Sequence, residues 1–147
     1  MLGLVAAGSG CTAAEDCNDM ACGDELVVEF RPVSGTFQAG QYQFDVVAGN
    51  APMTCTVTIN GDLPFGTCSP GNVSLVGSLR CEGDACRASP PRTYQVYQMV
   101  ISGNPTPIRV TARRDGTAVA EKTARPDYEL CGCAPNGRFG SVSVVIE

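Results

Sequence analysis

Nine cysteines and no histidine set the chemistry open to this 147-residue chain. A thiol can be acylated, oxidised to a disulfide or, as thiolate, bound to a metal. An odd count in a chain of this size sets one cysteine apart and leaves the others to pair. Cys11 is the one set apart, because it directly follows a short apolar leader; Cys17, Cys22, Cys55, Cys68, Cys81, Cys86, Cys131 and Cys133 remain as disulfide candidates. Cys55 opens an alternating segment that turns at Asn60-Gly61, and Cys68 closes the returning segment, so the two are expected opposite each other across a hairpin. Cys81 and Cys86 flank Glu82-Gly83-Asp84-Ala85, a loop short enough for the separation of about 5.5 Å that a disulfide prefers between Cα atoms. Cys131 and Cys133 are too close in sequence for an easy mutual bond and are expected to reach Cys17 and Cys22, stapling the N-terminal segment to the last loop. Closing a loop of roughly 100 residues stabilises by about 4.7 kcal/mol in the chain-entropy model, against about 3 kcal/mol for the Cys55 hairpin.

The same Cys17, Cys22, Cys131 and Cys133 could instead offer four thiolates to zinc in a reducing compartment. Their spacings miss the two-residue knuckle, so disulfides are expected and no metal or other cofactor. Glu15, Asp16, Asp19, Asp24 and Glu25 lack the alternating oxygen ligands and the glycine of a calcium loop and suit a solvated acidic linker. Without histidine no Ser-His or Cys-His couple exists, and the single lysine, Lys122, has no serine partner at a diagnostic spacing. Asp127 with Glu129, or Glu82 with Asp84, could do acid–base work, but such pairs in hydrophilic loops ordinarily serve as solvating charge. No catalytic residue is expected. A net charge of −5 and scattered arginines exclude the footprint of a nucleic-acid binder. Arg109, Arg113, Arg114 and Arg125 gather late in the chain while acids gather early, a polarity expected to mark solvated faces. Tyr94, Gln95, Tyr97 and Gln98, with Gln41, Tyr42 and Gln43, mix rings and amides on which a sugar or a protein could lie. Tyr94 and Tyr97 cannot share a strand face without a bulge, and the chain has no tryptophan; carbohydrate is therefore disfavoured, and these tyrosines are expected to fill a core.

The elements that must position these residues follow a period of two. Leu26, Val28 and Phe30 alternate with Glu25, Val27 and Glu29; Tyr42, Phe44 and Val46 with Gln41, Gln43 and Asp45; Cys55, Val57 and Ile59 with Thr54, Thr56 and Thr58. Further strands are expected over Val73 to Leu79, Thr93 to Ile101, Ile108 to Arg113, Thr117 to Thr123 and Val142 to Ile146, with Asp115-Gly116 as a hairpin turn. Strands at this spacing, broken by Gly, Pro and Asn and with no helix-length amphipathic run, predict an all-β fold: an antiparallel, immunoglobulin-like β-sandwich with disulfides. At 44% hydrophobic and 17% charged residues, the chain carries one domain's worth of core. Of ten basic residues only Lys122 is lysine, and the abundance of Ala, Gly and Arg suggests a GC-rich bacterial genome.

Met1-Leu2-Gly3-Leu4-Val5-Ala6-Ala7-Gly8-Ser9-Gly10 would reach only about 15 Å as a helix, half a bilayer core. Apolar residues, then small Ser9 and Gly10, then Cys11 resemble the lipobox that ends a bacterial lipoprotein signal peptide. The resemblance implies cleavage before Cys11 and its lipidation, with the basic start of the signal upstream of Met1; the alternative is an ordinary terminus with Cys11 a plain thiol. The stretch from Ile108 to Glu147, with Asp115-Gly116, Pro126-Asp127-Tyr128 and Pro135-Asn136-Gly137, is similar to the last strands of small β-sandwich domains in secreted bacterial proteins. That likeness implies a fold and a compartment, and no active site. The expected organisation is a leader over 1–10, a cysteine-containing acidic tether over 11–23 and a β-sandwich over 24–147. The expected function is that of a non-enzymatic lipoprotein of the bacterial cell envelope, periplasm or outer membrane, held at the membrane by lipid on Cys11 and acting as a structural or protein-interaction module. The alternative is a soluble secreted domain that binds a carbohydrate or protein ligand without lipid.

Overall fold

Alternating burial is the organising feature of every long strand, because a sheet with one face against a core must send successive side chains to opposite sides. A computed structural model of the protein describes residues 23–130 and 137–147. Ten strands run in chain order: β1 (Glu25–Pro32), β2 (Gly40–Ala48), β3 (Ala51–Ile59), β4 (Thr67–Ser69), β5 (Ser74–Arg80), β6 (Tyr94–Ser102), β7 (Ile108–Arg114), β8 (Thr117–Ala124), β9 (Glu129–Leu130) and β10 (Arg138–Ile146). One turn of helix, α1 (Asp84–Arg87), sits between β5 and β6. All eight segments with the period-two pattern are strands. β4 and β9, three and two residues long, and α1 are too short to leave a periodic signal.

The strands form two five-stranded sheets, β5-β6-β1-β10-β9 and β4-β3-β2-β7-β8. Both are antiparallel except where β1 runs parallel to β10, from Glu25 opposite Phe139 to Pro32 opposite Ile146. The second and third strands form one hairpin in one sheet, whereas the immunoglobulin constant arrangement divides its second and third strands between sheets. The shared feature is the two-sheet sandwich.

Leu26, Val28 and Phe30 of β1 meet Tyr42, Phe44 and Val46 of β2 in one core, with the Phe30 and Phe44 rings stacked at 4.2 Å between centroids. Phe37, in the loop joining these strands, sets its ring edge-on to both Tyr42 and Tyr97, at 5.5 and 5.4 Å. Burying each such ring or branched side chain stabilises by about 1.5–3 kcal/mol. The two core phenols keep their hydroxyls satisfied at the rim: Tyr42 donates to the Gln38 carbonyl and Tyr97 to the Pro64 carbonyl, each at 2.7 Å. The segment between β3 and β4 closes one side of the sandwich. Gly66 donates its N–H to the Leu75 carbonyl, and Gly77 lies so close beneath this strap that a Cβ there would meet Leu63 at 2.8 Å and the Tyr97 ring at 2.9 Å. On the opposite side β8 and β10 touch at one end, where the Glu147 N–H donates to Val119 O at 3.3 Å, and the sheets part toward the other.

Candidate functional site

Register decides which thiols meet. Cys55 on β3 lies directly opposite Cys68 on β4 and is bonded to it, with Cα atoms 4.0 Å apart. Cys81 and Cys86 are bonded across the α1 loop at a Cα separation of 5.2 Å. Both are pairs that spacing predicted. Cys11, Cys17, Cys22, Cys131 and Cys133, and with them the lipidation site, the staple and the zinc alternative, lie outside the described residues. Their described neighbours converge: the Asp24 carboxylate accepts the Arg138 N–H at 2.9 Å, and Leu130 pairs with Arg138. The chain therefore enters β1 at the end of the sheet where β9 hands over to β10.

The ring-and-amide surface expected from β2 and β6 is divided by the sandwich. Tyr42 and Tyr97 are fully buried, and Tyr94, three residues before Tyr97, faces outward as alternation demands. Arg31 lies over the Tyr94 ring at 3.9 Å, and the phenol donates to Glu82 at 3.1 Å. Burial, then the hydrogen bond to Glu82, pushes the Tyr94 phenol up from its ordinary range. Glu82 also pairs with Arg31 at 3.6 Å, Arg80 with Glu29 at 3.3 Å and Asp84 with Arg87 at 2.9 Å. Glu29, Glu82 and Asp84 are thus engaged in ion pairs around the α1 loop, and Gln95 is spent on the Phe37 N–H at 2.7 Å.

Gln41 and Gln43 share the outer face of the second sheet with Asp45, where a network forms that the sequence pattern did not disclose. Asp45 accepts from Gln43 at 2.9 and 3.1 Å, from the Thr54 hydroxyl at 2.7 Å and from the Arg113 guanidinium. Each residue stood at an outward position of an alternating strand, but only the pairing of Asp45 with Thr54 and Thr111 brings them together. Beside the network lies a hollow of about 240 Å³ lined by Gln41, Gln43, Thr56, Arg113 and Gly116.

A larger cleft, about 460 Å³, opens where the two sheets part. Lys122, Arg125, Asp127 and Glu129 face it with Phe139, and Lys122 Nζ donates to the Ser143 carbonyl at 2.7 Å on the edge of β10. Asp127 and Glu129 thus share one wall region with two cations. Arg109 and Arg114 stand apart from this cleft, so the late arginines do not make one patch. Among the described residues no three His, Cys, Asp or Glu side chains converge to hold a metal, and no helix is long and apolar enough to cross a membrane. The chain matches no protein-family model, no curated protein and no solved structure.

Proposed function

We propose that the chain is a non-enzymatic lipoprotein of the bacterial cell envelope, a disulfide-stapled β-sandwich held at the membrane through acyl chains on Cys11 and acting as a structural or protein-interaction module. The observation that carries the compartment is the pair of disulfides, Cys55–Cys68 and Cys81–Cys86, since thiols placed this way persist as bonds in oxidising surroundings outside the cytoplasm. Each acyl methylene buried in the bilayer contributes about 0.8 kcal/mol, so one chain binds reversibly and two or more anchor stably. Residues 12–19 serve as tether. Support for the staple comes from the Asp24 to Arg138 hydrogen bond, which brings the approaches to Cys22 and Cys131 to one end of the sandwich.

The test is intact mass with non-reducing peptide mapping on protein isolated from its own host's envelope. Loss of residues 1–10, diacylglycerol or more on Cys11 and all eight other cysteines paired is the expected outcome. Nine free thiols would sink the compartment argument. An unmodified Cys11 would leave the second reading, a soluble secreted domain whose ligand site is the cleft of about 460 Å³ between β8 and β10. Detergent phase partitioning separates the two, because only the acylated form follows the detergent.

A further inference from the structure

We infer that Lys122 is a latch that keeps the chain from pairing edge to edge with a second copy of itself along β10. Strand geometry sets the edge up. Backbone groups of successive residues point to opposite sides of a strand, and the Ile146 carbonyl accepts the Val33 N–H, so Gly140, Val142, Val144 and Ile146 turn theirs toward β1. Ser141, Ser143 and Val145 turn theirs the other way. On that side β9 covers only Arg138 and Phe139, and among the described residues no strand continues the ladder. The Lys122 ammonium, reaching across from β8, donates to the Ser143 carbonyl at 2.7 Å, in the middle of the open stretch.

The composition of this edge says what it would take. Phe139-Gly140-Ser141-Val142-Ser143-Val144-Val145-Ile146 holds no charge and no proline and is rich in β-branched residues, the signature of segments that pair with their own copies. An antiparallel pair of β10 strands centred on Ser143 is self-complementary. Ser143 meets its own counterpart and Ser141 meets Val145 of the second copy, each residue bringing one outward N–H and one outward carbonyl. The other sheet edges are closed by local means. β4 has three residues and β9 two; the Leu75 carbonyl of β5 is taken by the Gly66 N–H; β8 carries Glu121 and Lys122 and shifts its register beside Ala112 and Arg113. Between Phe139 and Ile146 β10 has no charge of its own, and the single lysine of the chain supplies one from the facing sheet. While the ammonium sits on the Ser143 carbonyl, an incoming strand finds the central acceptor taken and a cation in its path. The guard works through position and not through net charge, since in a chain of net charge −5 a lysine taken alone favours association.

The experiment is sedimentation velocity on the full chain in detergent over a wide concentration range, with amide exchange followed by mass spectrometry. The parent should sediment as a monomer. Lys122→Met keeps the apolar stem and removes the donor, so both latches of a symmetric pair are gone; at roughly tenfold for each charge-assisted hydrogen bond, self-association should tighten about 100-fold. The accompanying gain in exchange protection should fall within 139–147, at the outward amides of Ser141, Ser143 and Val145. Lys122→Arg, which keeps a cationic donor, should behave as the parent, and so should Arg125→Met, which removes a charge from the same cleft. Adding Ser143→Pro to Lys122→Met deletes the central outward N–H, at a place where an edge strand tolerates proline, and should restore the monomer. A Lys122→Met chain that sediments as the parent does, pairing that leaves 139–147 unprotected, pairing that persists with Ser143→Pro, or equal pairing by Arg125→Met or Lys122→Arg overturns the inference, as does a parent already paired along β10. None of these readouts depends on lipid at Cys11, which the detergent keeps dispersed, so the anchor and the latch fail separately.

Discussion

Tyr97 shows how one side chain ties the core to solution conditions. Its ring is fully buried between the sheets, its hydroxyl donates to Pro64 O, and burial pushes the phenol up to about 12. In the unfolded chain a tyrosine titrates near pH ~10. Because the folded value is the higher one, this contribution to stability is complete below pH ~10 and is lost as pH rises toward about 12. Two units correspond to roughly 2–3 kcal/mol. Tyr97→Phe should cost about 1 kcal/mol at neutral pH, where only the hydrogen bond is removed, and should decline less steeply in alkali than the parent. Tyr128, also raised by burial, leaves the variant a residual slope. Urea midpoints at neutral and alkaline pH check this, and parallel curves for parent and variant would refute it. Alternation alone already forbade Tyr94 and Tyr97 from sharing a face. It could not say which one the core would take, because that choice depends on Phe37, contributed by a loop far away in sequence.

The strand is the scale at which the sequence speaks most plainly, since period two reports directly that one face of a segment is buried. It reports nothing about neighbours. Sheet membership, the parallel β1–β10 pair and the two-residue β9 depend on contacts between distant segments, and so does the Asp45 network. Local devices were legible because they are complete within a few residues. At the turn between β7 and β8, Asp115 and Gly116 both have positive φ, 51° and 86°, the backbone that a two-residue hairpin requires. Gly116→Ala should therefore cost about 1 kcal/mol through backbone strain alone, since nothing lies within 4 Å of the added Cβ. The Cys55–Cys68 bond acts on a larger element. β4 has three residues and pairs only with β3, so little else holds it in register. Replacing both cysteines with alanine should lower stability by about 3 kcal/mol from the opened loop, with a further cost from the cavity at fully buried Cys55. Removing Cys81 and Cys86, at the surface and across a shorter loop, should cost less. Chemical denaturation of the two double variants ranks them, and the reverse order would show that β4 is held by something other than its disulfide.

At the scale of the whole molecule, the position of the tether would decide how a lipid-anchored sandwich meets a membrane. The chain enters β1 beside the start of β10, where Asp24 holds the Arg138 N–H, and Leu130 closes the same end. A lipid on Cys11 would act on the domain through that end. Free of any staple, the residues between Cys11 and β1 could extend to about 40 Å; bonded at Cys17, the free tether shrinks to about 20 Å and presses that end toward the bilayer. The proposed staple would therefore make the difference between a loosely held and an oriented domain, and it can be tested without removing a cysteine. A protease site inserted at the exposed Asp115-Gly116 turn divides the chain between its seven early cysteines and Cys131 with Cys133. The two bonds already seen, Cys55–Cys68 and Cys81–Cys86, both lie on the early side of that cut and cannot join the fragments. After cleavage, a denaturing gel without reductant should show one species at the position of the uncut protein, which reductant resolves into two. Separation of the fragments without reductant would mean that Cys131 and Cys133 reach neither Cys17 nor Cys22, and the domain would hang from its full tether.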